Sequence, residues 1–76
     1  MILPNKHVGP RESLLGAGAL VLRELDRPRT VTASWDRLRT DPAIRSFDRF
    51  ILALDLLFSM GLVTLEDGLL VRSPHD

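Results

Sequence analysis

Few residues in this chain are of the types that catalysis or metal binding requires. Histidine occurs only at His7 and His75, both in terminal segments, and cysteine is absent. Zinc sites need nitrogen, sulfur or oxygen ligands at short spacings, and no His-x-x-x-His pair is present. Ser13 and Ser46 stand where helical patterns begin, so we expect them to start helices rather than act as nucleophiles. The sequence therefore predicts no catalytic, cofactor-binding or metal-binding residue and no enzyme activity.

A glycine-rich run, Gly16-Ala17-Gly18, invites comparison with a phosphate-binding loop. It lies within a helical pattern, follows no predicted strand and lacks the Lys-Ser/Thr pair of a P-loop. Glycine inside a helix costs about 1 kcal/mol relative to alanine. We therefore interpret the run as a place where a neighbouring helix comes close to the backbone.

The length and composition are those of a single small domain spanning residues 1–76, without disulfide bonds. Hydrophobic residues make up 45% of the chain, and ten basic and ten acidic residues give a formal net charge of zero. Nucleic-acid-binding domains normally carry a basic excess, so this balance argues against that class. The longest apolar stretch, residues 50–63, contains Asp55 and falls short of the roughly 20 residues of a membrane-spanning helix. Because no secretory signal is predicted either, we expect a cytoplasmic protein.

The first two helices are predicted from apolar periodicity and from the residues at their ends. The first spans residues 12–26 and ends at Arg27-Pro28. The second has Thr30 as its N-cap, with Thr32 as the alternative, and ends at Asp41-Pro42. The inner stripes are Leu14, Leu15, Val21, Leu22 and Leu25 in the first helix and Val31, Trp35 and Leu38 in the second.

The third helix and a hairpin follow. The helix starts after the N-cap Ser46 and ends at Gly61, a C′ glycine. Its predicted inner stripe is Phe47, Phe50, Ile51, Leu54, Leu57 and Phe58. Asp67-Gly68 then separates two apolar runs, residues 62–66 and 69–72, which predicts a β-hairpin with a type I′ turn.

This order of elements predicts the fold class. Three helices followed by a C-terminal hairpin indicate a mainly α fold with a small β-hairpin (α+β), similar to a winged helix-turn-helix domain with the hairpin as the wing. Residues 1–10 are interpreted as an extended arm and residues 73–76 as a loose tail. An isolated hairpin is marginal, so it must pack on the helices or gain a third strand. Ile2-Leu3 is the only spare candidate for that strand.

The residues on the surface of the third helix indicate whether such a domain could recognise DNA. Its predicted outer face carries Asp48, Arg49, Leu52, Asp55, Leu56 and Ser59. Major-groove readers use Arg, Lys, Asn or Gln, whereas two carboxylates would repel phosphates. The hairpin tip, Glu66-Asp67, is acidic too, and the arginines between residues 23 and 45 are interleaved with aspartates, which is typical of a solvated mixed-charge surface. The sequence therefore disfavours DNA reading by these elements.

Apolar residues on outer faces indicate a protein interface instead. One core in a chain of this size covers one side of the third helix, which leaves Leu52 and Leu56 for another contact. The predicted hairpin register divides the residues between an inner face, with Val63, Leu65 and Leu70, and an outer face, with Thr64, Glu66, Leu69 and Val71. We interpret Leu52, Leu56, Leu69 and Val71 as one or two partner-binding patches.

Several segments are similar to those of a known family. They are Met1-Ile2-Leu3-Pro4-Asn5-Lys6-His7, Glu12-Ser13-Leu14-Leu15-Gly16, Ser46-Phe47-Asp48-Arg49-Phe50-Ile51-Leu52-Ala53-Leu54-Asp55, Gly61-Leu62 and Asp67-Gly68-Leu69-Leu70. They resemble the small middle component of bacterial ABC-three-component systems over nearly the whole chain. Family members often carry an acidic residue three positions after the residue matching Thr30, which completes a capping box; Ala33 departs from that pattern.

The resemblance implies an adaptor role. Such systems pair an SMC-like ABC ATPase with a middle component and a larger third component or effector, and they are predicted to act against phage or other invading DNA. The resemblance implies that the middle component binds the ATPase machinery, with DNA contacted at most indirectly and no membrane involved. A winged-helix DNA-binding transcriptional regulator stays open as the alternative.

The N-terminal arm is expected to make contacts of its own. Ile2-Leu3 carries two strongly apolar side chains whose exposure would be a liability, so we expect an extended strand, placed at the hairpin edge. Pro4 would end that pairing and turn Asn5, Lys6 and His7 towards a partner. Lys6 suits an acidic surface and Asn5 a backbone group, although simple solvation of all three remains the alternative.

Overall fold

The computed structural model describes residues 10–74, with side chains from residue 13 onward. Helix α1 spans Pro10–Glu24, α2 spans Val31–Leu38 and α3 spans Phe47–Ser59. Strands β1, Val63–Glu66, and β2, Leu69–Arg72, form a two-stranded antiparallel hairpin. The expected mainly helical α+β fold is therefore confirmed, and its element order is compatible with a winged-helix-like domain.

Helix α1 begins earlier and ends earlier than its pattern predicts. Pro10 occupies the first helical position, where a fixed φ and a missing N–H carry no penalty. Ser13 is thus inside the helix, and the prediction that it starts one is wrong. Gly18 is buried against α3, because a Cβ there would lie 3.4 Å from the Leu57 side chain, whereas Gly16 has nothing within 4 Å. Close packing therefore accounts for one of the two glycines.

Helix α2 starts at the first of its two predicted caps. The Thr30 hydroxyl accepts a hydrogen bond from the Ala33 backbone N–H at 3.0 Å, so Thr30 rather than Thr32 is the N-cap. Trp35 packs against the two phenylalanines in the first turn of α3, whose own ring centroids are 6.0 Å apart. Its ring centroid is 5.4 Å from that of Phe47, edge to face, and 5.6 Å from that of Phe50.

Helix α3 has the predicted cap residues at both ends. The Ser46 hydroxyl accepts from the Arg49 N–H at 3.2 Å. At the other end Gly61 adopts φ +73°, its N–H donates to Phe58, and the next N–H, from Leu62, donates to Leu57, which is a Schellman motif.

The buried stripe of α3 is narrower than predicted. Its buried members are Phe50, Ala53, Leu54 and Leu57. Phe47 and Phe58, which the sequence assigns to the inner stripe, are exposed. The core covers only one sector of the helix, and Phe47 lies at its edge, where it contacts Trp35 instead.

The hairpin has the predicted register and turn. Glu66 is paired with Leu69 and Leu65 with Leu70, and Asp67 and Gly68 have φ values of +52° and +78°, as a type I′ turn requires. The outer edge of β2 pairs with the α1–α2 connection: Arg29 and Leu70 exchange two backbone hydrogen bonds of 3.2 and 2.6 Å. Ile2-Leu3 is therefore not the only segment able to extend this sheet.

One hairpin residue is misplaced by the sequence analysis. Val63 and Leu70 are buried on the inner face as expected, but Leu65 is 56% exposed. Arg29 pairs with the outer edge of β2, whereas no segment within residues 10–74 pairs with the outer edge of β1. Leu65 therefore lies on the uncovered edge strand, opposite the buried Leu70.

The three helices and the hairpin share one core. Its buried apolar members are Ala17, Val21, Leu25, Leu38, Ile44, Phe50, Ala53, Leu54, Leu57, Val63 and Leu70. Every element contributes at least one side chain, so the hairpin is stabilised by the helix layer rather than by its turn alone. No helix in the described part of the chain is long and apolar enough to cross a membrane.

Candidate protein-interaction surface

Leu52 and Leu56 lie outside the core, as the sequence predicts. Leu52 is 54% exposed and has the exposed carboxylate-bearing residues Asp48 and Asp55 on either side of it along α3. Leu56 is half-buried. The outer face of α3 thus combines an exposed leucine with two carboxylates, which are unfavourable next to phosphate groups.

Leu56 also belongs to an apolar groove that the sequence analysis did not identify. The groove has a volume of about 170 Å³ and lies between α1 and α3. It is lined by Leu15, Gly18, Ala19, Leu22, Leu56, Leu57, Met60 and Leu62. Leu15 and Met60 stand at its rim, 44% and 52% exposed.

One of the two rim residues could have been found from spacing. Met60 follows Leu56 by four positions, which continues the apolar stripe of the outer face by one helical turn. Leu15 was assigned to the inner stripe of the first helix, and its exposure corrects that assignment. The missing information was the angle at which α1 crosses α3, which no local pattern contains.

The two predicted hairpin contacts are less exposed than Leu52. Leu69 and Val71 are half-buried and do not line the groove. They share their face with Thr64 and Glu66, which are exposed. The structure therefore brings Leu56 together with the groove but leaves Leu69 and Val71 as a separate, smaller patch.

The remaining predicted contacts, Asn5, Lys6 and His7, lie outside the described residues, as does the predicted strand Ile2-Leu3.

Two arginines, one in the α1–α2 connection and one in α2, pair with carboxylates. Arg29 contacts Asp26 at 2.9 Å, and Arg37 is hydrogen-bonded to Glu24. The hydrogen bond from Arg29 lowers the pKa of the Asp26 carboxyl, and the Glu24 carboxylate raises the pKa of Arg37. This surface is one of mixed charge rather than a basic patch.

Within residues 10–74, no three His, Cys, Asp or Glu side chains converge as metal ligands would. The Gly16-Ala17-Gly18 run lies inside α1, with Ala17 in the core. It is therefore helical and does not form the loop that a phosphate-binding role requires.

Comparison with known proteins gives the family. No match was found among curated proteins or among solved structures. A family model described as ABC-three component (ABC-3C) system Middle Component 6 matches residues 3–73. That range includes all three helices and both strands, together with both leucines of the outer face of α3. The chain thus belongs to the Middle Component 6 family of ABC-three-component systems.

Proposed function

We propose that this chain is a non-catalytic adaptor subunit of an ABC-three-component system that acts against phage or other invading DNA. In this proposal it binds an SMC-like ABC ATPase, and the assembly also contains a larger effector component. The observation that carries the proposal is the exposed Leu52 beside an apolar groove, in a chain of this family.

The proposed contact surface consists of Leu52 and Leu56 on α3 together with two neighbouring residues of the groove rim, Leu15 on α1 and Met60 at the C-cap of α3. We call this whole surface the α3 outer face. Full burial of one leucine side chain stabilises a complex by about 1.5–3 kcal/mol before the costs of association. The rim side chains of Leu15 and Met60 are large, apolar and about half exposed, so a partner can remove further apolar area from water. We assign this surface to an apolar segment of the ATPase, because Asp48 and Asp55 disfavour a polyanion as its ligand.

A second contact is proposed for the N-terminal arm. Lys6 offers a cation to an acidic surface, and Asn5 and His7 offer hydrogen bonds. Because exposed ion pairs contribute only about 0.2–1 kcal/mol, the arm would adjust orientation more than affinity.

The order of the helices and strands supports the alternative function, a DNA-binding winged-helix regulator. The carboxylates of Asp48 and Asp55 on α3 and the acidic hairpin tip at Glu66 and Asp67 weigh against it. A wing and a recognition helix that both carry acidic groups would lose the phosphate contacts that supply most of the affinity.

Co-purification from cells that express the complete system tests the adaptor role. The tagged chain should capture the ATPase, and Leu52→Asp should abolish capture while leaving the thermal midpoint unchanged, because Leu52 is exposed. Leu65→Asp is the matched control, since it places the same charge at another exposed leucine, and it should retain capture. Replacing Asn5, Lys6 and His7 by Ala should weaken capture without abolishing it. Full capture by the Leu52→Asp variant would overturn the assignment of this surface.

A further inference from the structure

A second cavity in the domain has a different chemistry from the apolar groove. A cleft of about 490 Å³ lies between the N-terminal half of α1 and the connection from α2 to α3. Its lining residues are Ser13, Gly16, Pro42, Ala43, Arg45 and Arg49. None of them lines the groove, and two of the six carry guanidinium groups, so this arginine cleft is a separate cationic site.

Arg49 connects two sides of the cleft by donating hydrogen bonds to uncharged acceptor groups. Its Nε donates to the Ala43 carbonyl at 2.7 Å, and one terminal nitrogen donates to the carbonyl oxygen of Ser13 at 2.8 Å and to the Ser13 hydroxyl. No carboxylate contacts it among the described side chains. The partly buried guanidinium therefore keeps its charge uncompensated by these contacts, with its second terminal nitrogen left for a ligand.

Arg45 stands at the rim in a backbone conformation that suits glycine. Its φ is +67°, and only its Nε bonds within the described chain, to the Pro42 carbonyl at 3.1 Å. A left-handed non-glycine residue costs about 1–2 kcal/mol. Of the two nearest carboxylates along the chain, Asp48 forms no ion pair within the described residues, and Asp41 accepts a hydrogen bond from the Ala43 N–H at 2.9 Å and so serves the turn. Both terminal nitrogens of Arg45 are thus available at the mouth of the cleft.

We propose that the arginine cleft binds carboxylate side chains of an acidic segment of a protein partner. The two terminal nitrogens of Arg45 can hold a carboxylate through paired N–H donors, which a lysine cannot do, and the remaining terminal nitrogen of Arg49 adds further N–H donors. Residues 1–9 carry Lys6 and no acidic side chain, so the chain's own arm is not the complement. Nucleic acid is disfavoured because Asp48 adjoins Arg49 in the sequence and the net charge is zero.

A labelled hexaglutamate peptide is the probe, with binding followed by fluorescence anisotropy of the intact chain. We expect saturable binding that weakens as salt is raised, and about a three- to tenfold loss of affinity in Arg45→Gly. Glycine fits the positive φ, so the thermal midpoint of this variant should be retained. Arg39→Ala is the matched control, because it removes an exposed arginine outside the cleft, and it should bind the peptide like the unaltered chain.

Two results would overturn the proposal. One is equal peptide affinity in Arg45→Gly and the unaltered chain, or an equal loss in Arg39→Ala, since either means charge attraction without a site. The other is tighter binding of a duplex oligonucleotide than of the peptide at the same salt, with the same dependence on Arg45, which would assign the cleft to phosphate. The experiment uses no ATPase, so its failure leaves the proposed role of the α3 outer face untouched.

Discussion

Two serines should respond in opposite directions to the same substitution. Ser46→Ala removes the N-cap of α3 and should destabilise the domain by about 1 kcal/mol. Ser34 is fully buried, and its hydroxyl has no hydrogen-bond partner within the described residues. Ser34→Ala removes that unsatisfied group and should stabilise the domain by up to about 1 kcal/mol. Urea unfolding measures both, and a destabilised Ser34→Ala variant would show that the hydroxyl has a partner.

At the residue scale, the capping residues could be predicted from the sequence, whereas hydrogen bonds between residues distant in the chain could not. Thr30, Ser46 and Gly61 were assigned their capping roles from sequence, because caps depend on neighbours within four positions. The bonds from Arg49 to Ser13 join residues 36 positions apart, and no local pattern contains them. The exposure of Leu65 was missed for the same reason, since strand alternation marks a face but not which part of it another element covers.

At the element scale, α2 offers a comparison between two threonines of the same turn. Thr30→Ala should cost about 1 kcal/mol, because the hydroxyl bonded to the Ala33 N–H is lost. Thr32→Ala should change stability by less than about 0.5 kcal/mol, because Thr32 is exposed within the helix. Thermal unfolding of the two variants is the measurement, and equal losses would contradict the assignment of Thr30 as the cap.

The predicted strand Ile2-Leu3 also belongs to this scale. Arg29 already occupies the edge of β2 at Leu70, so the arm would have to pair with β1. Helix α1 rises about 22 Å, and the seven residues from Leu3 to Pro10 span at most about 25 Å. A fully extended arm could therefore span about the length of α1.

Deleting residues 1–3 tests that pairing. If the strand is present, the thermal midpoint should fall by several degrees, since apolar area and backbone hydrogen bonds are lost together. The control is replacement of Asn5, Lys6 and His7 by Ala, which should leave the midpoint unchanged. An unchanged midpoint after the deletion would reject the strand.

The order and the ends of the helices and strands could be predicted from apolar periodicity, prolines and capping residues. The width of each buried face could not be predicted in this way. The sequence assigned Phe47, Phe58 and Leu15 to the core because apolar residues at helical spacing mark one side of a helix. Burial depends on the sector that another element covers. In α3 that sector is narrower than the predicted inner stripe, so Phe47 and Phe58 are exposed in addition to Leu52.

At the scale of the whole molecule, the neutral net charge predicts a low affinity for DNA. Ten positive and ten negative groups leave no net charge to release counterions, so the isolated chain should bind duplex DNA no better than weakly and without sequence preference. Anisotropy titration at about 150 mM salt checks this, with a scrambled duplex as the control. Sub-micromolar binding that distinguishes the two duplexes would favour the regulator alternative.

The proposed adaptor role implies that the isolated chain and the ATPase of its system bind directly through the α3 outer face. The measurement is calorimetric titration of the two purified proteins at about 150 and about 500 mM NaCl. Saturable binding should persist at the higher salt, because the contact is apolar, and Leu52→Asp should weaken it at least about tenfold. Absence of binding, or a Leu52→Asp variant that binds as tightly as the unaltered chain, would contradict the account.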